Sequence, residues 1–209
     1  MRKNLAIILT LLVTITAWGQ KFEGKITYQN TFKSKVPNLP DEKFSAMIGT
    51  KQEYYIKEGN YKSVTNGTFA QWQLYINTDN KLYNKRSNSE TIFWNDASVN
   101  DDSVISFQLN KGAMDILGYK CDELIFTCKS GIEKYYFNTK LGVDTKLYTH
   151  HKFGNWYDYL KHTNALPLKM FIEVQSFSME SIATEVRPMR LDDKEFQLPQ
   201  NARTEKSPN

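Results

Sequence analysis

From Phe22 onward, apolar and polar side chains alternate one by one, and turn residues interrupt the alternation at intervals of roughly 8–12 residues. A period of two marks a half-buried strand, because successive side chains leave a pleated backbone on opposite sides. Phe22, Gly24, Ile26, Tyr28 and Phe32 take one side of the first run, while Lys21, Glu23, Lys25, Thr27 and Gln29 take the other. Further runs cover 52–57, 61–65, 69–76, 81–86, 91–94, 104–109, 118–127 and 132–137. Turn chemistry separates them at Glu58-Gly59-Asn60, Asn66-Gly67, Asn77–Asn80, Ser87–Ser89 and Ser130-Gly131. The clearest alternation comes late: Leu166, Leu168, Met170, Ile172 and Val174 oppose Pro167, Lys169, Phe171, Glu173 and Gln175. A last pair is expected at 180–186 and 189–191. Such spacing describes an antiparallel meander and excludes a helical bundle.

Two stretches break the rhythm. Pro37–Gly49 fits a short helix capped by Asp41 and ended by Gly49, with Phe44, Met47 and Ile48 on one face. The stretch 150–165 fits one or two helical turns carrying Trp156, Tyr157, Tyr159 and Leu160, with Asn155 as the cap. The aromatic load of 12 Tyr, 12 Phe and 4 Trp reinforces the sheet assignment, since aromatic side chains suit pleated, half-buried surfaces. The fold class expected is therefore mainly β: an antiparallel curved sheet, half-barrel or incomplete barrel, with two or so short helices covering one face.

The chain has 209 residues and a formal charge of +4. Arg2 and Lys3 precede an uncharged, largely apolar stretch that ends at Ala17-Trp18-Gly19, the pattern of a secretory signal peptide. Its apolar part is shorter than the about 20 residues of a membrane-spanning helix. The expected organisation is a signal peptide over 1–19, a single domain over 20–199 and a polar, frayed tail over 200–209. Cleavage after Gly19 removes half of the net charge, which argues against nucleic acid as a partner. No cysteine follows that site for lipid attachment, so the expected location is the periplasm, with secretion as the other exported fate.

Cys121 and Cys128 fall in one expected strand, where seven residues span about 23 Å and bridged Cα atoms need about 4–7 Å. Their parities differ, which predicts a buried Cys121 and a Cys128 thiol at a loop edge. His150, His151 and His162 cluster in sequence, yet neighbouring histidines on an extended chain diverge, so a solvated loop is expected there rather than a metal site. The chain has no Gly-x-Ser-x-Gly, His-Glu-x-x-His, phosphate-binding glycine loop or Cys-x-x-Cys. Asp101-Asp102 and Asp192-Asp193 suit solvated turns. No catalytic residue, metal or cofactor is expected.

Four segments recur in order in a known group of proteins. They are Phe22-Glu-Gly-Lys-Ile-Thr-Tyr28, Ile116-Leu-Gly-Tyr-Lys-Cys121, Leu166-Pro-Leu168 and Asp192-Asp-Lys-Glu-Phe-Gln-Leu-Pro199. With them the chain resembles a domain-of-unknown-function family of exported Gram-negative envelope proteins, similar in fold to the lipoprotein carriers LolA and LolB. The resemblance implies a half-barrel whose concave face is closed by short helices, leaving an apolar cavity that holds acyl chains in the carriers.

The residues themselves point to the same kind of surface. Trp72, Leu74 and Ile76 share a parity, as do Ile92 and Trp94, and methionines beside aromatics make an adaptable apolar face. Tyr28, Trp72, Leu74, Trp94, Leu168, Met170 and Ile172 are the expected ligand-binding residues. The function expected is non-catalytic binding of a hydrophobic small molecule, acyl chain or lipid. The alternative is a structural protein with a filled core that docks an envelope protein by a strand edge or the 150–164 loop.

Overall fold

The structure is a computed structural model that describes residues 21–208; the expected export segment, residues 1–19, lies outside the described residues. Among the described residues there are twelve strands: β1 (Gly24–Ser34), β2 (Lys51–Lys57), β3 (Asn60–Thr65), β4 (Ala70–Ile76), β5 (Lys81–Arg86), β6 (Ile92–Asp96), β7 (Val104–Ile116), β8 (Tyr119–Cys128), β9 (Gly131–Gly142), β10 (Ala165–Val174), β11 (Phe177–Pro188) and β12 (Thr204–Lys206). They form one sheet in the order β12-β6-β5-β4-β3-β2-β1-β11-β10-β9-β8-β7, which does not close into a barrel. Hairpins account for most of this order. The exceptions are β11, which pairs with β1 and so joins the two meanders, and β12, which lies beside β6.

The expected mainly β class holds, with corrections of detail. The sheet is mixed rather than purely antiparallel, because β12 runs parallel to β6. The tail expected to fray supplies that strand: Ile92 N–H donates to Arg203 O at 2.9 Å and Ser207 N–H to Trp94 O at 2.8 Å. Residues 189–191 form no strand, whereas β11 extends to Pro188. The two helices are α1 (Asp41–Ile48) and α2 (Trp156–Thr163). Pro40, not Asp41, occupies the cap position of α1; the Asp41 carboxylate instead accepts the Ser34 N–H at 2.7 Å. α1 ends at Gly49, whose φ of 105° suits glycine. A side chain there would meet Gly67 N at 2.7 Å, so two glycines let the helix end press against the β3–β4 turn.

Alternation divides the side chains between two clusters on opposite faces of the sheet. On the face that α2 covers, Ile26, Tyr28, Tyr54, Tyr61, Tyr75 and Leu124 pack against Tyr148, Tyr159 and Leu160. Burying one such large side chain contributes about 1.5–3 kcal/mol, so this cluster dominates stability. On the other face Leu74, Tyr83 and Ile92 are covered by Leu191 and Phe196 of the C-terminal segment.

Cys121 is buried as expected, and Cys128 departs from expectation. Both are free, and both are buried in the α2-side cluster. In β8 the buried positions run Cys121, then Leu124, Phe126 and Cys128, so the alternation slips by one between Cys121 and Leu124, where three residues of β7, Lys111–Ala113, face the single residue Asp122. Cys128 is thus no loop-edge thiol.

Candidate ligand-binding groove

Between α2 at one end and α1 at the other, the inner sheet face carries two adjoining cavities. The inner one, of ≈ 140 Å³, is lined by Tyr28, Tyr54, Tyr61, Trp156, Pro167 and Met170. The outer one, of ≈ 390 Å³, extends over Phe32, Ile48, Phe69, Met179 and Arg86. Gln52, Ser63, Gln73 and Met170 line both, which makes them one groove.

The walls follow from strand register. Tyr61 stands opposite Tyr75, and Ser63 opposite Gln73, so β3 and β4 present an aromatic layer and then a polar one. The aromatic layer stacks in series: Tyr54 on Tyr61 with centroids 5.2 Å apart, Tyr61 on Tyr75 at 5.3 Å, and Tyr75 on Tyr148 at 6.1 Å. The polar layer is a row of neutral groups. Asn30 Nδ2 donates to Gln52 Oε1 at 3.4 Å, Gln52 Nε2 to Ser63 Oγ at 2.8 Å, and Gln73 Nε2 to Asn84 Oδ1 at 2.8 Å. Tyr28 closes the floor by donating its hydroxyl to Pro167 O at 2.7 Å. At the outer end the Arg86 guanidinium lies 5.6 Å from the rings of both Phe69 and Phe93.

Two donors in the inner cavity wall, the Tyr54 hydroxyl and the Trp156 indole N–H, are buried without a protein partner, as is Asn30 Oδ1 in the outer wall. Desolvation pushes the Tyr54 phenol well above its ordinary range, so it stays a neutral donor. Leaving such groups unpaired costs about 1–3 kcal/mol each in a dry interior.

The expected ligand-binding residues fall on both faces. Tyr28, Leu168 and Met170 lie in or against the α2-side cluster, and of these Tyr28 and Met170 line the groove. Ile172 sits half-buried between Glu133 and Met179, on the same side as Met170. Leu74 belongs to the opposite cluster and Trp94 packs against it, with Lys81 Nζ 4.1 Å over the Trp94 ring. Trp72 packs against that cluster too and reaches the outer rim of the groove. Tyr54, Tyr61 and Trp156 were not anticipated as ligand-facing residues. The parity of Tyr54 in β2 and of Tyr61 in β3 is legible in the sequence, but which face α2, with Trp156, covers is not.

The histidines also separate. His151 is buried against Tyr61 and Tyr75, with ring centroids 5.7 and 4.2 Å away, rather than solvated. His162 packs on Phe107 at 4.2 Å, and His150 is exposed.

A second polar cluster lies beneath the start of α2. Asp102, Cys128 and Glu133 bring their side-chain ligating atoms within 4.8 Å of one another. Glu133 accepts from the Tyr135 hydroxyl at 2.9 Å and from Asn155 Nδ2 at 3.3 Å, while Ser130 Oγ donates to Asp102 at 2.6 Å. Burial raises the Glu133 carboxyl and, with the neighbouring Glu133, pushes the Cys128 thiol to about 12. A protonated thiol is a poor nucleophile, and the cluster works as a knot tying α2 to the sheet.

No family model matches the sequence, and no curated protein matches it. Among solved structures the chain is similar to PNGF-II in space group P21, with a TM-score of 0.49 and 18% identity. The match covers 88% of this chain and 31% of that one, so this chain spans about a third of the other's length.

Proposed function

We propose that the protein is a non-catalytic, exported binding protein that holds an elongated, mainly apolar ligand in the groove between α1 and α2. The observation that carries this reading is the pair of buried donors, Tyr54 Oη and Trp156 Nε1, that meet no protein acceptor in an aromatic-walled cavity. A ligand with an apolar body and one acceptor atom satisfies both features. Met170 and Met179 line the groove and supply the adaptable surface that flexible chains favour. The resemblance to the LolA and LolB half-barrels supports the same reading, since an open sheet with short helices on one face leaves such a space. On this reading the segment 1–19 directs the protein to the periplasm, where an acyl chain or lipid is the natural occupant.

Native mass spectrometry of the purified protein, with displacement of the apolar fluorophore N-phenyl-1-naphthylamine by long-chain fatty acid, tests it. Co-purifying lipid, or fluorophore binding that fatty acid displaces and Met170→Trp abolishes, is the expected result. Apo protein that binds neither, or binding that Met170→Trp leaves intact, overturns the reading.

A further inference from the structure

The groove ends in positive charge. Among the described residues, Lys85 and Arg86 are the only charged ones that line either of its cavities. Elsewhere on the sheet lysines are matched: Lys25 pairs with Glu53 and Glu185, Lys169 with Glu180, and Lys35 with Glu173. No carboxylate of the described residues forms an ion pair with Lys85 or Arg86. The Lys85 ammonium donates to the Ser89 carbonyl oxygen, and the Arg86 guanidinium rests near the Phe69 and Phe93 rings. Aromatic neighbours steady a guanidinium without consuming its N–H donors.

Strand register sets the distance from these cations to the aromatic layer. In β5, Leu82 stands opposite Tyr75, Asn84 opposite Gln73 and Arg86 opposite Ala70. Leu82 belongs to the α2-side cluster, so this parity is the one that faces the groove. Aromatic layer, polar layer and cation therefore follow one another, and four residues of strand carry Arg86 about 13 Å beyond Leu82. The pairing of β4 with β5 is irregular between Ala70 and Trp72, and there the consecutive Lys85 and Arg86 both reach the rim.

We infer that the ligand is an amphiphile with an anionic head, a carboxylate or a phosphate, which Arg86 and Lys85 hold at the outer end while its chain runs inward past Met170. This rests on the groove reading above and adds to it the charge of the ligand and its direction. The reverse orientation would set the anion among Tyr54, Tyr61 and Trp156, where no cation lines the cavity, and an unpaired buried charge is costly. The donors there, Tyr54 Oη and Trp156 Nε1, suit a neutral oxygen on the chain instead. At the outer end the guanidinium fork matches two oxygens of a carboxylate or phosphate.

Displacement of N-phenyl-1-naphthylamine by dodecanoate, dodecyl phosphate and the neutral 1-dodecanoylglycerol, in wild type and in Arg86→Gln, Arg86→Lys and Arg190→Gln, tests the inference. In wild type at least one of the two anionic amphiphiles is expected to bind about tenfold more tightly than the neutral one, and the tighter of the two names the head. Arg86→Gln is expected to remove that margin while the fluorophore and the glycerol ester bind as in wild type, and Arg86→Lys to keep part of it. Arg190 is exposed just beyond the end of β11 that pairs with Gly24, away from the groove, so Arg190→Gln should keep the full margin. Inorganic phosphate at the same concentration should displace nothing; displacement equal to that by dodecyl phosphate would make the site one for free anions and overturn the inference. A margin absent from wild type, or kept by Arg86→Gln, also overturns it, yet leaves the groove reading standing as long as the fluorophore and the glycerol ester bind. Failure of every probe to bind removes both.

Discussion

His151 Nε2 lies 2.8 Å from the Tyr61 hydroxyl, and this hydrogen bond fastens the segment before α2 to β3 beneath a layer of stacked rings. Burial lowers the imidazole pKa to about 4 from its ordinary 6.5. The unfolded chain therefore takes up a proton near pH 6.5, while the folded chain refuses it until about pH 4. Above pH 6.5 both states are neutral and the group contributes no pH dependence. Between those limits acid favours unfolding, by up to about 3 kcal/mol at the lower end. Urea denaturation of wild type and His151→Phe at several values from pH 7 to 4 measures it. The variant loses the bond to Tyr61 at every pH, so a constant offset is expected, together with a shallower fall on acidification. Parallel curves would remove His151 as the acid-sensitive group.

Asn155 is buried at a φ of 57° and serves two purposes that can be separated. Its amide donates to Glu133 and its carbonyl oxygen accepts from Asn100 Nδ2 at 2.7 Å, while its left-handed backbone turns the chain into α2. Asn155→Gly keeps the backbone and loses the side chain; a cost of about 1–3 kcal/mol is expected from the partners left unpaired. Asn155→Ala loses both and is expected to cost about 1 kcal/mol more. Chemical denaturation of the two variants reads the difference, and equal costs would assign everything to the side chain.

Both thiols are expected to be silent. Burial, aided by nearby carboxylates, raises Cys121 to about 11 and Cys128 to about 12. Cys121 pairs across β7 with Met114 and Cys128 with Val104, ten positions apart along that strand, so no bridge joins them without unfolding β8. Intact mass with an alkylating agent should show no modification in native buffer and two additions in denaturant. Rapid native labelling, or a mass lowered by one disulfide, would contradict the buried arrangement.

Strands and faces differ in how far they were legible. Period two located most of β1 to β11, because the alternation Ile26-Tyr28-Phe32 or Leu168-Met170-Ile172 is a local property of the chain. Alternation alone could not say which of two apolar faces is covered by helices and which by the tail. Leu74 and Trp94 satisfy the same pattern as Tyr28, and only the packing of Leu191 and Phe196 over them reveals that they lie on the far side. The misplaced Cys128 follows from a slip in the alternation of β8 between Cys121 and Leu124, beside the irregular pairing with Lys111–Ala113 of β7, and strict period two carries no sign of such a slip.

Tyr54 offers the most direct separation of binding from stability. Its hydroxyl is buried and meets no protein acceptor, while its ring stacks on Tyr61. Tyr54→Phe keeps the ring and removes only the unsatisfied group, so the ligand-free protein should become more stable by about 1 kcal/mol, or at least no less stable. A groove evolved only as core would show that gain and nothing else. If the hydroxyl serves a ligand acceptor, the same substitution should weaken ligand binding about five- to tenfold, because the bound acceptor then loses its partner in a dry site. Calorimetric unfolding of the ligand-free variant, alongside titration with whatever fatty acid or lipid the wild type retains, reads both quantities from one preparation. Rising stability with falling affinity marks Tyr54 as a binding residue; rising stability with unchanged affinity returns it to the core.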